Sequence, residues 1–100
     1  DLTTIIVAHD SGPQLAACVA SVRRETDALG LHAELIVVDN ASRDGAPQQL
    51  DGVVLLRNAR NRGFGAAANQ GFVAGQGRRV LLLNPDAELG PGALSPLLAA

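Results

Sequence analysis

Val80-Leu81-Leu82-Leu83-Asn84-Pro85-Asp86-Ala87-Glu88 decides how this chain is read. Its apolar run has no alternation, the pattern of a strand covered on both faces. Pro85 stops the run, because proline cannot donate to a sheet ladder and holds the residue before it extended. Asp86 and Glu88 follow at once. Two carboxylates therefore sit at the carboxyl end of a strand, where open α/β sheets put their ligands. Carboxylates there suit a hard divalent cation, Mg²⁺ or Mn²⁺, which takes oxygen ligands and shares them with phosphates. Acidic residues after a strand also form turns and cap helices, so this stretch alone leaves both readings open.

Working outward, the same arrangement recurs. Residues 3–8, β-branched and mostly apolar, predict a first strand that runs into His9-Asp10-Ser11-Gly12. Residues 35–38 predict a second, ending at Asp39-Asn40, and 53–56 a third, followed by Arg57-Asn58. Ser11-Gly12-Pro13-Gln14 fits a capping box ahead of a helix. Leu15, Cys18, Val19 and Val22 give that helix one apolar face, and Gly30 stops it. Ala41-Ser42-Arg43-Asp44-Gly45 is a polar turn, and 47–50 a short helix or loop. Residues 65–74 predict a helix of small residues able to approach a sheet closely, with Phe64 and Phe72 expected in the core. A last helix is expected over 91–100, with Pro91 early in it.

Strands alternating with helices mean an α/β fold: a mostly parallel sheet with flanking helices and right-handed crossovers. In such a sheet all four carboxyl ends point the same way. His9-Asp10, Asp39-Asn40, Arg57-Asn58 and Asn84-Asp86 then converge along one edge, as a nucleotide site requires.

Composition narrows the classes. One hundred residues allow one domain, and a 47% hydrophobic fraction excludes disorder. A net charge of −2, with no Tyr or Trp for base stacking, argues against nucleic acid as partner. The single Cys18 excludes an internal disulfide or a cysteine-based zinc cluster and fits a cytoplasmic setting. No apolar run reaches the ~20 residues that cross a bilayer. The chain starts almost directly in a strand and ends inside a helical pattern, which leads us to expect a truncated piece of a larger domain.

Gly63-Phe64-Gly65-Ala66-Ala67-Ala68 matches the dinucleotide fingerprint G-x-G-x-x-A, but that fingerprint should follow its strand immediately, and here Asn58 to Arg62 intervene. A glycine hinge feeding a closely packed helix is the better reading. No P-loop motif is present. Asp39 reads either as a carboxylate accepting from a nucleobase or ribose, or as a turn residue capping Ser42. Arg62 suits a diphosphate or plain solvent exposure. Asn69, in a helix interior, suits a loop backbone or a ligand.

Taken together, four blocks resemble the family 2 glycosyltransferases, in the rhamnosyltransferase-like and galactofuranosyltransferase-like branch. They are Ile5-Ile6-Val7-Ala8-His9-Asp10-Ser11, Val37-Val38-Asp39-Asn40-Ala41-Ser42-Arg43-Asp44-Gly45, Asn61-Arg62-Gly63-Phe64-Gly65-Ala66-Ala67-Ala68-Asn69-Gln70-Gly71 and Leu82-Leu83-Asn84-Pro85-Asp86-Ala87-Glu88-Leu89. They occur in the family's order and cover nearly the whole chain. The resemblance implies the Rossmann-like, nucleotide-binding N-terminal half of a GT-A fold over residues 1–100. It also implies inverting transfer of a sugar from a UDP- or dTDP-linked donor to a glycan or lipid-linked acceptor. By the same resemblance His9 and Asp10 line the nucleoside, and Asp39 binds the base. Asn61, Arg62 and Gly63 lie near the ribose and diphosphate, with Asn69 in the same block. Asn84-Pro85-Asp86 sits where the family carries D-x-D. Asp86 then matches the metal-binding carboxylate for Mg²⁺ or Mn²⁺, with Glu88 as a second candidate ligand and Asn84 as a departure from the motif.

No residue here matches the family's general base, so no catalytic residue is expected in this chain. The chain alone is expected to be inactive, with the parent enzyme cytoplasmic or at the inner face of the membrane. Two other readings stand beside this one. The first is a non-catalytic nucleotide-binding or protein-interaction module. The second is a dinucleotide-dependent oxidoreductase resting only on Gly63-Phe64-Gly65. An uncovered sheet edge would also invite self-association.

Overall fold

The computed structural model describes residues 2–99. The chain forms β1 (Leu2–Ala8), α1 (Gln14–Ala28), β2 (Ala33–Asn40), a short 3-10 helix (Pro47–Gln49), β3 (Val54–Asn58), α2 (Phe64–Ala74), β4 (Arg79–Leu83) and α3 (Leu94–Ala99). All strand pairs are parallel, in the order β3-β2-β1-β4. The chain steps outward from β1 to β3, then crosses back over the sheet to β4. Strand order thus reverses between β1 and β4, a topological switch point of the kind that binds ligands in open α/β sheets.

β1 lies between two neighbours and is buried along its whole length. Its alternate side chains serve two layers. Leu2, Ile6 and Ala8 join Leu15, Cys18, Val19 and Val22 of α1, with Leu35, Val37 and Leu94. Val7, with Ile36 and Val38 of β2, packs on the other face beneath Ala67 of α2. The apolar face anticipated for α1 is therefore the buried one. Gly71 lets α2 approach closely: a Cβ there would lie 2.6 Å from Ile5 Cγ2.

Several expectations need correction. The run that opens β4 is not covered on both faces. Leu81 and Leu83 pack on the α1 side, but β4 is an edge strand, and Val80 and Leu82 are exposed, Leu82 by 46%. The reason is placement: α2 lies over β1 and β2 and does not extend across β4. Phe64 and Phe72 are likewise exposed rather than core, Phe72 by 61%. Gly71 faces the sheet, which turns Phe72 to the side of the helix, and Phe64 opens the helix in an exposed stretch.

Ser11 makes no capping box. α1 begins after Pro13 without a side-chain cap, and Ser11 Oγ accepts the His9 N–H instead, at 3.3 Å. Pro91 lies in the turn closed by Ala93 N–H to Gly90 O at 3.0 Å, so α3 starts only at Leu94. Ala100, the last residue of the expected helix, lies outside the described residues.

Candidate functional site

β2 and β3 run further than their apolar cores. Asp39 and Asn40 are strand residues paired in register with Arg57 and Asn58. The ladder thus carries polar side chains to the carboxyl edge of the sheet. A groove of about 630 Å³ opens there, lined by His9, Asp10, Ser42, Arg43, Arg57, Arg60 and Asn61 among others. Arginines on its walls favour an anionic occupant.

The two loops beside this groove are fastened to each other. Asp10 has a positive φ of 48° and Ala41 one of 63°. Asp10 N–H donates to Ser42 Oγ at 3.1 Å, and Arg43 N–H donates to Asp10 Oδ1 at 2.6 Å. His9 Nδ1 lies 2.8 Å from Asn40 O. A carbonyl only accepts, so Nδ1 donates in this contact, and Nε2 lies 3.7 Å from Asp10 Oδ2.

Asp44 completes the clasp. Its Oδ1 accepts from Ala46 N–H at 3.0 Å and its Oδ2 from Gly12 N–H at 2.8 Å. These bonds, Ala46 first and Gly12 second, hold the carboxyl below its ordinary pKa. A depressed folded value means a contribution that is full above the ordinary carboxylate range and lost as pH falls through the folded value. We therefore expect Asp44→Asn to be less stable than the parent at neutral pH, with the difference shrinking in acid. Chemical denaturation across pH 7 to 2 measures it; a difference independent of pH would contradict the assignment.

Asp39 does not itself line the groove and is 2% exposed, with its neighbours Ser42 and Arg57 in the lining. Its Oδ1 accepts from Ser42 N–H at 2.8 Å, the turn-capping bond, and its Oδ2 accepts from Gln48 Nε2 at 2.6 Å. Arg57 Nε stands 4.0 Å from the same Oδ2. Among the described contacts only the exposed Gln48 side chain and Arg57 flank that oxygen.

The remaining expected residues divide. Asn61 lines the groove, while Arg62 and Gly63 stand next to it in an exposed loop. Gly63, with φ of 82°, precedes the first residue of α2. The Gly63-Phe64-Gly65 motif thus follows the edge strand β3, not the turn after the central strand where a dinucleotide fingerprint belongs. Asn69 is not brought to the groove: two residues before the sheet-facing Gly71, it is exposed on the outer face of α2.

Asn84, Asp86 and Glu88 lie on the far side of β1 from that groove, following β4. Asn84 O accepts from Ala87 N–H at 3.0 Å, forming a turn that leaves Asp86 and Glu88 exposed. The same carbonyl accepts from Cys18 Sγ at 3.5 Å. Burial, then the charges of Asp86 and Glu88, push the Cys18 thiol up to about 11. Among the described residues no group of three or more His, Cys, Asp or Glu could enclose a metal. This excludes an all-protein cage there. Mg²⁺ and Mn²⁺ bind through one or two carboxylates and complete their shell with substrate phosphates and water, and Asp86 and Glu88 are exposed carboxylates of that type.

The match to known proteins extends over the same elements. The family model described as glycosyl transferase family 2 matches residues 3–100. The chain belongs to this family. It is 32% identical over 114 residues to an N-acetylglucosaminyl-diphospho-decaprenol L-rhamnosyltransferase of Mycobacterium tuberculosis, covering 99% of this chain and 36% of that protein. The fold matches S. aureus TarS 1-349, crystallised in complex with UDP-GlcNAc, with a TM-score of 0.83 at 19% identity, over 99% of this chain and 30% of that one. It also matches the mannosyltransferase PcManGT of Pyrobaculum calidifontis, in complex with GDP-Man and Mn²⁺, with a TM-score of 0.72 at 23% identity, over 92% and 29% of the two chains. The family 2 chain thus spans about a third of the length of its relatives, and its fold is the α/β arrangement of the GT-A glycosyltransferases.

Sequence reasoning placed Arg57 and Asn40 among the polar groups at the sheet edge without giving either a partner, and it missed Arg43 and Arg60 as groove residues and Gln48 as the partner of Asp39. The arginines stood at strand ends and in loops that only the β3-β2-β1 order makes neighbours. For Asn40 a signal existed: a second polar residue ending an apolar strand, facing the opposite side of the sheet from Asp39.

Proposed function

We propose that this chain is the donor-binding part of an inverting glycosyltransferase that uses a nucleoside diphosphate sugar and a glycan or lipid-linked acceptor. The observation that carries the proposal is the arginine-walled groove at the carboxyl edge of the sheet, in a chain of family 2. The relatives' printed substrates support it: a rhamnosyltransferase with a lipid diphosphate in its name, and a fold neighbour holding UDP-GlcNAc.

In this reading the nucleoside lies against His9 and Asp10. A base N–H donates to Asp39 Oδ2 in place of Gln48, which favours uracil or thymine, whose ring N–H lies between two carbonyls. Arg62, with Asn61 and Gly63, serves the ribose and diphosphate, and Asn69 belongs to the same block without reaching the groove. The donor's diphosphate extends past β1 toward Asn84 and Asp86. Asp86, with Glu88 as second ligand, would hold Mg²⁺ or Mn²⁺, which when bound neutralises the charge that develops on the diphosphate. In the transfer, the acceptor oxygen bonds to the anomeric carbon from the face opposite the diphosphate. The bond from that carbon to the diphosphate oxygen breaks, and its electron pair leaves with the nucleoside diphosphate. The acceptor proton passes to a general base, which is not assigned to this chain.

Asp39→Asn tests the base contact. Hydrogen bonds to charged groups are worth roughly 1.5–3 kcal/mol, so UDP affinity should fall about tenfold to a hundredfold, with or without metal. Unaltered affinity by calorimetry would reduce Asp39 to the cap of the Ser42 turn.

A further inference from the structure

We infer that Asn40 is a positioning residue, whose side-chain amide sets the Asn61-Arg62-Gly63 loop against the groove in the arrangement that the diphosphate part of the donor requires. The inference rests on the reading of the groove as a nucleoside diphosphate site and gives a specific role to a residue that the sequence placed only at the edge of the sheet.

Asn40 ends β2 and is 2% exposed. Its Oδ1 accepts from Arg62 N–H at 2.9 Å and from Asn58 Nδ2 at 3.2 Å. Its Nδ2 donates to Asn61 Oδ1 at 2.8 Å and to Gly63 O at 3.2 Å. A primary amide offers two donors and two acceptor positions, and all four are used here. Three of the four bonds go to consecutive residues of one loop. The loop has no helix or strand to hold it over this span, so Asn40 supplies the bonds that a ladder would.

The anchor is itself braced. Asn58, its register partner, exchanges two bonds with Gln70 of α2, Nδ2 to Oε1 at 2.7 Å and Nε2 to Oδ1 at 2.8 Å. Gly63 O also accepts from Ala67 N–H at 3.3 Å, so the same loop starts α2. Asn40 O meanwhile receives His9 Nδ1. One residue therefore touches the nucleoside side of the groove through its backbone and the diphosphate side through its side chain.

The chemistry requires an amide. A carboxylate of the same shape would still accept from Arg62 and Asn58 but would set oxygen against Asn61 Oδ1 and Gly63 O, with nothing to donate. Asn40→Asp is therefore the test, read in two ways. Amide hydrogen exchange by NMR follows the Gly63 N–H, which donates to Asn61 Oδ1 at 2.8 Å and is expected to exchange about tenfold faster once the carboxylate repels that oxygen, while Ile5 and Val37 are unaltered. Calorimetry compares uridine with UDP. UDP affinity should fall about tenfold and uridine affinity stay within twofold, because the His9 contact is a backbone one. Gln70→Ala, which removes only the brace, should move both readouts the same way by a smaller factor.

Equal loss of uridine and UDP would overturn the inference, as a merely structural role predicts it. Unchanged Gly63 exchange would overturn the positioning role alone. Faster exchange in the variant, with no UDP binding by the parent chain, would overturn the reading of the groove and the donor-specific role with it.

Discussion

Gly71→Val lowers the melting temperature by more than about 10 °C, whereas Gly65→Ala, on the same helix, leaves it unchanged or raises it slightly. The contrast follows from what a Cβ meets at each place. At Gly71 it would lie 2.6 Å from Ile5 Cγ2 and 3.3 Å from Cδ1 and Cγ1, all on a side chain that is 1% exposed in the central strand. Ile5 has no room to turn, so α2 must lift from the sheet. Overpacking of this kind costs roughly 1–3 kcal/mol or more, a large share of the 5–15 kcal/mol that stabilises a small domain. At Gly65 nothing lies within 4 Å, and alanine is the better helix former. Lifting α2 also removes Gln70 from Asn58, so the groove should fail with the fold. Thermal unfolding by circular dichroism measures both variants; equal melting temperatures would mean that α2 is not seated on Ile5.

Asp86→Ala abolishes the effect of Mn²⁺ or Mg²⁺ on nucleoside diphosphate binding. The expected loss equals the whole metal-dependent gain, because among the described residues no set of three ligands stands in reserve. Glu88→Ala should cost less, since one carboxylate with phosphate and water completes the shell of a hard cation. Adding chelator to the parent chain should reproduce the Asp86→Ala affinity, and chelator should do nothing further to the variant. The comparison is made by calorimetry with UDP; a metal response surviving in Asp86→Ala would remove that residue from the site. The motif departure at Asn84 sharpens the expectation. An amide oxygen is a weaker ligand than a carboxylate, so on the proposed reading Asp86 would carry the charge that the first position of the motif does not.

The fold was legible because alternation of short apolar runs with a helical apolar stripe leaves few topologies. Leu15, Cys18, Val19 and Val22 were readable as one face, and that face is buried. Pattern marks an apolar face without saying what covers it, which is why Phe72 and Leu82 were misread: α2 sits over β1 and β2, and Val80 and Leu82 of β4 stay exposed. The site was legible in part for the same reason. Polar residues following strands stand out one by one, so His9, Asp10 and Asp39 could be named, whereas Asn61 was named only through the family resemblance. Arg57 beside Asp39, or Asn40 bonded to three successive loop residues, follows only from the strand order and register. Asn69 shows the converse, a motif position that α2 turns away from the sheet.

The most direct test of the account is calorimetric titration of UDP into this chain with and without Mn²⁺, with dTDP as a second donor nucleotide and NAD as control. The account predicts binding of a nucleoside diphosphate, strengthened by Mn²⁺, and none of NAD. Binding of NAD without metal, or no binding of either nucleoside diphosphate, would contradict it.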